Sequence, residues 1–370
     1  MKKQLLTALA AFAAISSQAT IRQVDNNSNT PGVFTTIQAA QNAAAAGDTL
    51  YIHGSLTQYT GGTIEKQLVI IGEGALPNKN FKFIPQIAGL TFGFNANNTV
   101  SSSGSKIYGC ALGIIIGTNS AATQAVNNIT IQRCNLYNLI FSGNQSSPNT
   151  GLLISNNVIN YITAGVIANS VIRNNIVISV SYVGDQSTSA WVFTNNIVLG
   201  YFAFNQYATV TNNIFYRATS NADNLYLQNN AYCTISKNLY LDATGSTTIT
   251  PSDIVYGTNN GGNNILNQDP FFVNPDVNII SYSFTYPTDA DPTANFRLQA
   301  NSPAIGYGTD GTDLGIYGGA VPFFEGTPTN SRYRYFPMPW IPAVLDMNIQ
   351  NSSILQNGTL NVNFIARKQN

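Results

Sequence analysis

Three residues hold a pattern that could move a proton. Arg217 and Asp242 fall at equivalent places in successive copies of a sequence repeat, and Lys237 lies five residues before Asp242. An outward Arg or Lys beside a carboxylate could take a proton next to a sugar carboxylate, more readily if calcium lowered that proton's pKa. The plainer reading of Arg217 and Asp242 is a surface salt bridge, worth about 0–1 kcal/mol. Their places in the repeat predict Cα atoms about 5 Å apart. Arg133 stands five repeats away from Lys237 and so lies outside any such cluster, roughly 24 Å off.

Other candidates are weaker. Asp289, Asp291, Asp310 and Asp313 lie in short acidic segments that offer calcium its preferred oxygen ligands. Asp and Gly are also ordinary turn residues. The single histidine, His53, sits between Ile52 and Gly54 and reads as a strand residue rather than a base. Hydrolysis of a glycoside needs two carboxyls roughly 5–10 Å apart, and the acids from Asp185 to Asp269 are scattered singly. Tyr137, Tyr161, Tyr201, Tyr216 and Tyr240 each follow a repeat by a few residues. Facing outward they would form a ridge able to stack on sugars; facing inward they would be core.

These residues stand in a chain of low charge. Of 370 residues 9% are charged, 16 basic against 16 acidic, and 44% are hydrophobic. Such a chain has ample material for a core and little to offer a phosphate backbone, which argues against nucleic-acid binding. One histidine and three cysteines make a His/Cys zinc site improbable. Lys2 and Lys3, the apolar run Leu5 to Ile15 and the small residues up to Ala19 read as a signal peptide over 1–19, cleaved after Ala19. That predicts a secreted or cell-surface protein with 14 basic and 16 acidic groups and no transmembrane segment.

The elements that must position the candidates come from a repeat built on Asn, of which the chain has 48. A short apolar phrase ending in Asn-Asn closes at Asn157, Asn175, Asn196 and Asn213, and in altered form at Asn238 and Asn264. Cys110 and Cys134 occupy the same column upstream, and all spacings lie between 17 and 26 residues. A period of this size means a solenoid, and apolar residues alternating before each Asn mean strands. Stacked strand-turn-strand coils bring the column into a ladder with rungs about 4.8 Å apart. An inward amide there can donate to one neighbour and accept from the other, sparing buried polar groups that cost about 1–3 kcal/mol unpaired. Asn also tolerates the left-handed backbone of a tight corner. Cys110 and Cys134 would sit in neighbouring coils with parallel Cβ vectors, as two buried thiols rather than a bridge, and Cys233 reads as inert core.

With that ladder the sequence resembles the right-handed parallel β-helix superfamily, which includes the pectate-lyase-like proteins. Phe34 to Ile52 is similar to the family's entry, a short helix over Thr36 to Ala46 ended by Gly47 and followed by a strand. Gly54 to Tyr59 and Ile64 to Gly74 resemble its opening coils, and Phe296 to Gly308 with Asp313 to Gly319 a closing segment of secreted members. The resemblance implies polysaccharide chemistry, by Asp-bound calcium with an Arg or Lys base or by clustered aspartates. This chain has no Asn-Thr-Asp and no Asp-Asp pair, and His53-Gly54 lies far from the central repeats.

The expected organisation is a signal peptide (1–19), an all-β right-handed parallel β-helix with a short N-terminal capping helix (20–322), and a Pro/aromatic linker with a C-terminal hairpin (323–370). The hairpin is read from alternation at Leu345, Met347 and Ile349, and again at Leu360, Val362 and Phe364, about a turn at Gln356-Asn-Gly358. The function these features favour is non-catalytic, a polysaccharide or cell-surface glycan binder or a surface structural element. Tyr161, Tyr201, Tyr216 and Tyr240 are its candidate binding residues. The alternative is a lyase acting on an acidic glycan, with Arg217, Lys237 and Asp242 as its site and calcium as an optional ion.

Overall fold

The computed structural model describes residues 19–29, 31–72, 74, 84–163, 165–184, 190–217, 229–254, 257–275, 295–323, 343–349 and 362–367. The signal segment before residue 19, Asp289, Asp291 and most of the Pro/aromatic linker lie outside these residues.

The chain is a parallel β-helix. One sheet stacks eleven parallel strands, from Ile21–Val24 through Leu153–Ser155, Val171–Arg173, Trp191–Thr194 and Ala208–Thr211 to Asn260–Gly262. A second parallel sheet runs from Gly62–Ile64 through Ile176–Ser181, Ile197–Val198, Ile214–Arg217 and Leu239–Asp242 to Ile265–Leu266. Alternate residues of the first sheet point inward, so register brings Ile131, Ile154, Ile172, Phe193, Val210 and Ile235 into one fully buried column.

The Asn column forms the predicted ladder. The Oδ1 of Asn157 accepts from the Cys134 amide at 2.9 Å, and each later Asn accepts both the backbone and the side-chain N–H of the one before it, as far as Asn264. Each Nδ2 also reaches back to a carbonyl of the preceding coil, Asn196 to Ile172 and Asn213 to Phe193. The left-handed backbone falls one residue earlier than expected. Gly109, Arg133, Asn156, Asn174, Asn195, Asn212, Lys237 and Asn263 carry it, with φ between 51° and 65°. The Asn-Asn dipeptide thus divides its labour, the first residue turning the corner and the second filling it.

The N-terminal helix spans Ile37–Ala43, shorter than the expected Thr36 to Ala46. Thr36 caps it by accepting from the Ala39 amide. It stops early because Lys66 takes the carbonyls of Gln41 and Ala44, and because the Asp48 carboxylate pulls the Ala45 amide into a turn. The cap works through one side chain: Gln41 donates to Thr63 O and accepts from Glu65 N, occupying the open edge of the second sheet at its first strand.

The closing segment does not sit over the last coil. After Phe272–Asn274 pairs antiparallel with Asn295–Leu298, residues 299–323 run back lengthwise along the outside of the second sheet. Tyr307 bonds Asn263, Thr309 bonds Asn212, the Asp313 carbonyl meets Asn195, and the Ile316 and Gly318 carbonyls meet Asn174. This strap covers an outer apolar column of Val158, Ile176, Ile197, Ile214 and Leu239 with Leu314, Ile316 and Phe296. Burial of such side chains stabilises by about 1.5–3 kcal/mol each. Gly315 is required at the contact, for its φ is +76° and a Cβ there would lie 2.9 Å from Ile214 Cδ1. Ala343–Ile349 and Val362–Arg367 pair antiparallel, as the hairpin requires, while the expected turn at Gln356-Asn-Gly358 and Leu360 lie outside the described residues.

Candidate functional site

Among the described residues, the corner between the second sheet and the next strand of the first carries aromatic rings over three coils, exposed at Tyr182, Phe204 and Tyr232 and half-buried at Tyr207. Ser181 registers with Ala203, which aligns Tyr182 with Phe204. A bridge between Gln206 and Ala231 aligns Phe204 with Asn229 and Tyr207 with Tyr232. The Tyr182 and Phe204 rings stack at 4.8 Å and 7°, and the Tyr207 and Tyr232 rings at 4.8 Å and 3°. Beneath them runs a second Asn ladder, in which Asn205 accepts from Val183 N, Asn230 from Asn205 N and Asn259 from Cys233 N. Trp191 pins the same corner by donating Nε1 to Gln206 O.

All four aromatic residues have left-handed backbones, with φ of 58° at Tyr182 and Phe204, 54° at Tyr207 and 55° at Tyr232. The earlier coils place Asn128, Gly151 and Asn169 in the column of Tyr207 and Tyr232, the residue types that this backbone suits. An aromatic residue there costs about 1–2 kcal/mol. Burial does not offset it at three of the four, for Tyr182 is 59% exposed, Tyr232 53% and Phe204 36%; Tyr207 is half-buried. Strained residues that support no core gather at sites built to bind.

Sequence reasoning missed this corner. Its signal was the second Asn column, Asn205, Asn230 and Asn259, with Phe204, Tyr207 and Tyr232 beside it. Only Asn230 in that column ends an Asn-Asn pair preceded by the same left-handed residue as in the first ladder, at Asn229; Asn205 follows Phe204, Asn259 opens its pair rather than closing it, and the spacings are 25 and 29 residues.

The other candidates separate. Arg217 and Asp242 are register partners, as expected, and pair Nη1 to Oδ2 at 3.4 Å. The pair is buried rather than superficial, at 8% and 5% exposure, and Asp242 also accepts from Thr244 N and Oγ1. Lys237 sits on a corner instead, its ammonium 4.1 Å over the Tyr307 ring of the strap. Tyr240 is fully buried and stacks on Phe215 at 4.6 Å in the core, so it faces no ligand, and burial pushes its hydroxyl well above the ordinary value. Tyr216 packs edge-on against Phe272, and burial, then the Asp269 charge, raises its pKa. Tyr161 is exposed and meets Tyr137 edge-on at 6.2 Å. Tyr201, half-buried, is two coils beyond Tyr161, past Ser179.

Asp310 and Asp313 hold their own turn, accepting from Thr312 and from the Gly306 amide, and the Thr312 bonds keep Asp310 below its ordinary pKa. Among the described residues no three His, Cys, Asp or Glu side chains gather as metal ligands, and no helix is long and apolar enough to cross a membrane. His53 lies 3.3 Å from Gln23 Oε1 and edge-on to Tyr51. The three thiols are free and buried, and burial raises that of Cys134 to about 12 and of Cys233 to about 11.

Set against known protein families and curated proteins, the chain matches no family model and no curated protein.

Proposed function

We propose that this chain is an exported, non-catalytic member of the pectate-lyase-like β-helix proteins that binds glycan through its aromatic corner. The observation that carries this reading is the pair of ring stacks on strained left-handed backbones at Tyr182, Phe204, Tyr207 and Tyr232, of which Tyr182, Phe204 and Tyr232 are exposed. Flat rings at a rigid corner present apolar faces to the C–H faces of sugars, and the tyrosine hydroxyls add hydrogen bonds at their rims. A solenoid fixes such rings at the coil spacing, so little ordering entropy is lost on binding. Tyr137 and Tyr161 form a second exposed aromatic pair that could extend contact with a long chain. What counts against a lyase is the burial of Arg217 against Asp242, which withholds its guanidinium from an outward substrate.

The test is binding of the purified protein to a polysaccharide panel, with unsaturated-product absorbance followed in parallel, with and without calcium. Retention by at least one polysaccharide without product, and its loss in Tyr207→Asn with the fold intact, is the expected result. Product formation that disappears in Arg217→Met would overturn the reading in favour of a lyase.

A further inference from the structure

At the N-terminal end of the first sheet one buried carboxylate faces a backbone nitrogen at the surface. Asp48 precedes the strand Thr49–Ile52, and register sets it beside Thr20, because Ile21 pairs with Thr49. The Thr49 amide donates to the Thr20 carbonyl at 2.9 Å. Asp48 Oδ1 accepts from Thr20 N at 2.8 Å, and its Oδ2 accepts from Arg22 Nε at 3.1 Å and from Ala45 N at 2.9 Å. Asp48 is 3% exposed, whereas Ala19 and Thr20 are both exposed. One oxygen is thus fixed to the solenoid's entry, and the other is aimed at the nitrogen where the first strand begins.

That nitrogen belongs to the bond at which the signal segment ends. The small residues before the expected cut close at Ala19, so the scissile peptide is Ala19–Thr20. Hydrolysis there places the water oxygen on the Ala19 carboxylate and leaves Thr20 N as an amine. With an ordinary pKa of about 7.7–8.0 the amine takes a proton at neutral pH and becomes an ammonium. The bond to Asp48 Oδ1 then changes from that of a neutral amide to a charge-assisted one, roughly twice as strong. In the uncut chain the cation paired with Asp48 is Arg22; the cut supplies a second. The position matters to a single residue. A cut one residue earlier leaves a neutral Thr20 amide against the carboxylate. A cut one residue later removes Thr20 together with its bonds to Asp48 and Thr49.

We infer that Asp48 is the docking site of the mature N-terminus: cleavage after Ala19 creates an ion pair between the Thr20 α-ammonium and Asp48 that locks the first strand, Ile21–Val24, onto the solenoid. Arg22 and the Ala45 amide already hold the carboxylate in place, so the new charge arrives at a prepared site. This rests on the export reading of residues 1–19 and is independent of glycan binding.

The experiment has two parts. The full chain is secreted through its own leader, and intact mass with N-terminal sequencing reads where it begins; Thr20 is expected. Chains beginning at Thr20, at Ala19 and at an Nα-acetylated Thr20 are then compared in denaturant melts at neutral pH. The Thr20 chain is expected to have a folding equilibrium constant about ten-fold above the other two, the difference between a neutral and a charged hydrogen bond. In Asp48→Asn the three chains should agree within about two-fold. Acetylation keeps every side chain, so it tests the ion pair even where Asp48→Asn does not fold. A retained leader would bring down the export reading itself. A secreted chain beginning anywhere but Thr20 would leave export standing and overturn the docking. Equal stability of the three chains, or a ten-fold difference that persists in Asp48→Asn, would overturn the ion pair.

Discussion

Asn212 and Asn213 are adjacent in sequence and work on opposite sides of one coil wall. Asn213 points inward, accepting from the amide and side chain of Asn196 and donating to Asn238, Phe193 and Thr211. Asn212 points outward from a left-handed backbone, donating to Thr309 Oγ1 and accepting from Thr309 N. One dipeptide therefore joins the ladder inside to the strap outside.

Removing the inner amide should cost global stability. Asn213→Ala takes the Asn213 Oδ1 acceptor from the buried Asn196 backbone N–H, and removes one bond each from the Asn196 side chain and the Phe193 carbonyl, at about 1–3 kcal/mol for a buried group left unpaired. Asn264→Ala, at the half-buried end of the ladder, should cost less, because water can replace what is lost. Denaturant melts of the two variants compare them directly, and equal losses would contradict the ladder as the source of the effect.

Removing the outer amide should act locally. Asn212→Gly keeps the left-handed backbone and deletes both bonds to Thr309, so the strap should open more often while the solenoid holds. Hydrogen exchange at the Thr309 and Gly315 amides is expected to quicken about five-fold or more, corresponding to about 1 kcal/mol, with little change in the amides of Trp191–Thr194.

The aromatic corner trades stability for its rings. Tyr232→Asn substitutes a residue that suits a φ of 55°, so it should stabilise the chain by about 1 kcal/mol while weakening glycan retention. A variant that lost both stability and binding would show that the ring holds the fold rather than a ligand.

The buried ion pair should behave as a unit. Arg217→Met alone leaves the Asp242 carboxylate without its partner and is expected to cost about 3–5 kcal/mol. Arg217→Met with Asp242→Leu should recover most of that loss. Double-mutant melts read the coupling, which would be close to zero if the pair were the exposed bridge that the sequence suggests.

Asp48 sets an acid limit. Burial pushes its carboxyl up, but the bonds from Thr20 N, Ala45 N and Arg22, together with the Arg22 charge, outweigh that and hold it below its ordinary 3.8. A carboxyl lowered on folding contributes stability that is fully present above 3.8 and is lost as pH falls through the folded value. The stability gap between the native chain and Asp48→Asn should be constant near neutrality and close progressively below 3.8, as followed by denaturant melts across acid pH.

Much of this was legible in the residues. The column from Cys134 to Asn264 was readable because a ladder demands one residue type at one place in every coil, and the register of Arg217 with Asp242 followed from counting along it. The strap was less so. Its trace was the apolar pair after each ladder Asn, Ile176-Val177, Ile197-Val198 and Ile214-Phe215, which leaves both faces of the second sheet apolar and so requires an outer cover. The aromatic corner was hidden because Tyr207 and Tyr232 are ordinary residues until their backbones are known.

The sequence by itself determined the coil, its period, its inward amides and its sparse charge, since these depend on residue type recurring at fixed positions along the chain. The tertiary structure decided which side of the wall each side chain faces. Arg217 went inside with Asp242, Tyr240 into the core and Tyr182, Phe204, Tyr207 and Tyr232 onto the surface. Facing depends on the φ of the corner residue and on what the returning strap covers, and neither is written in local spacing.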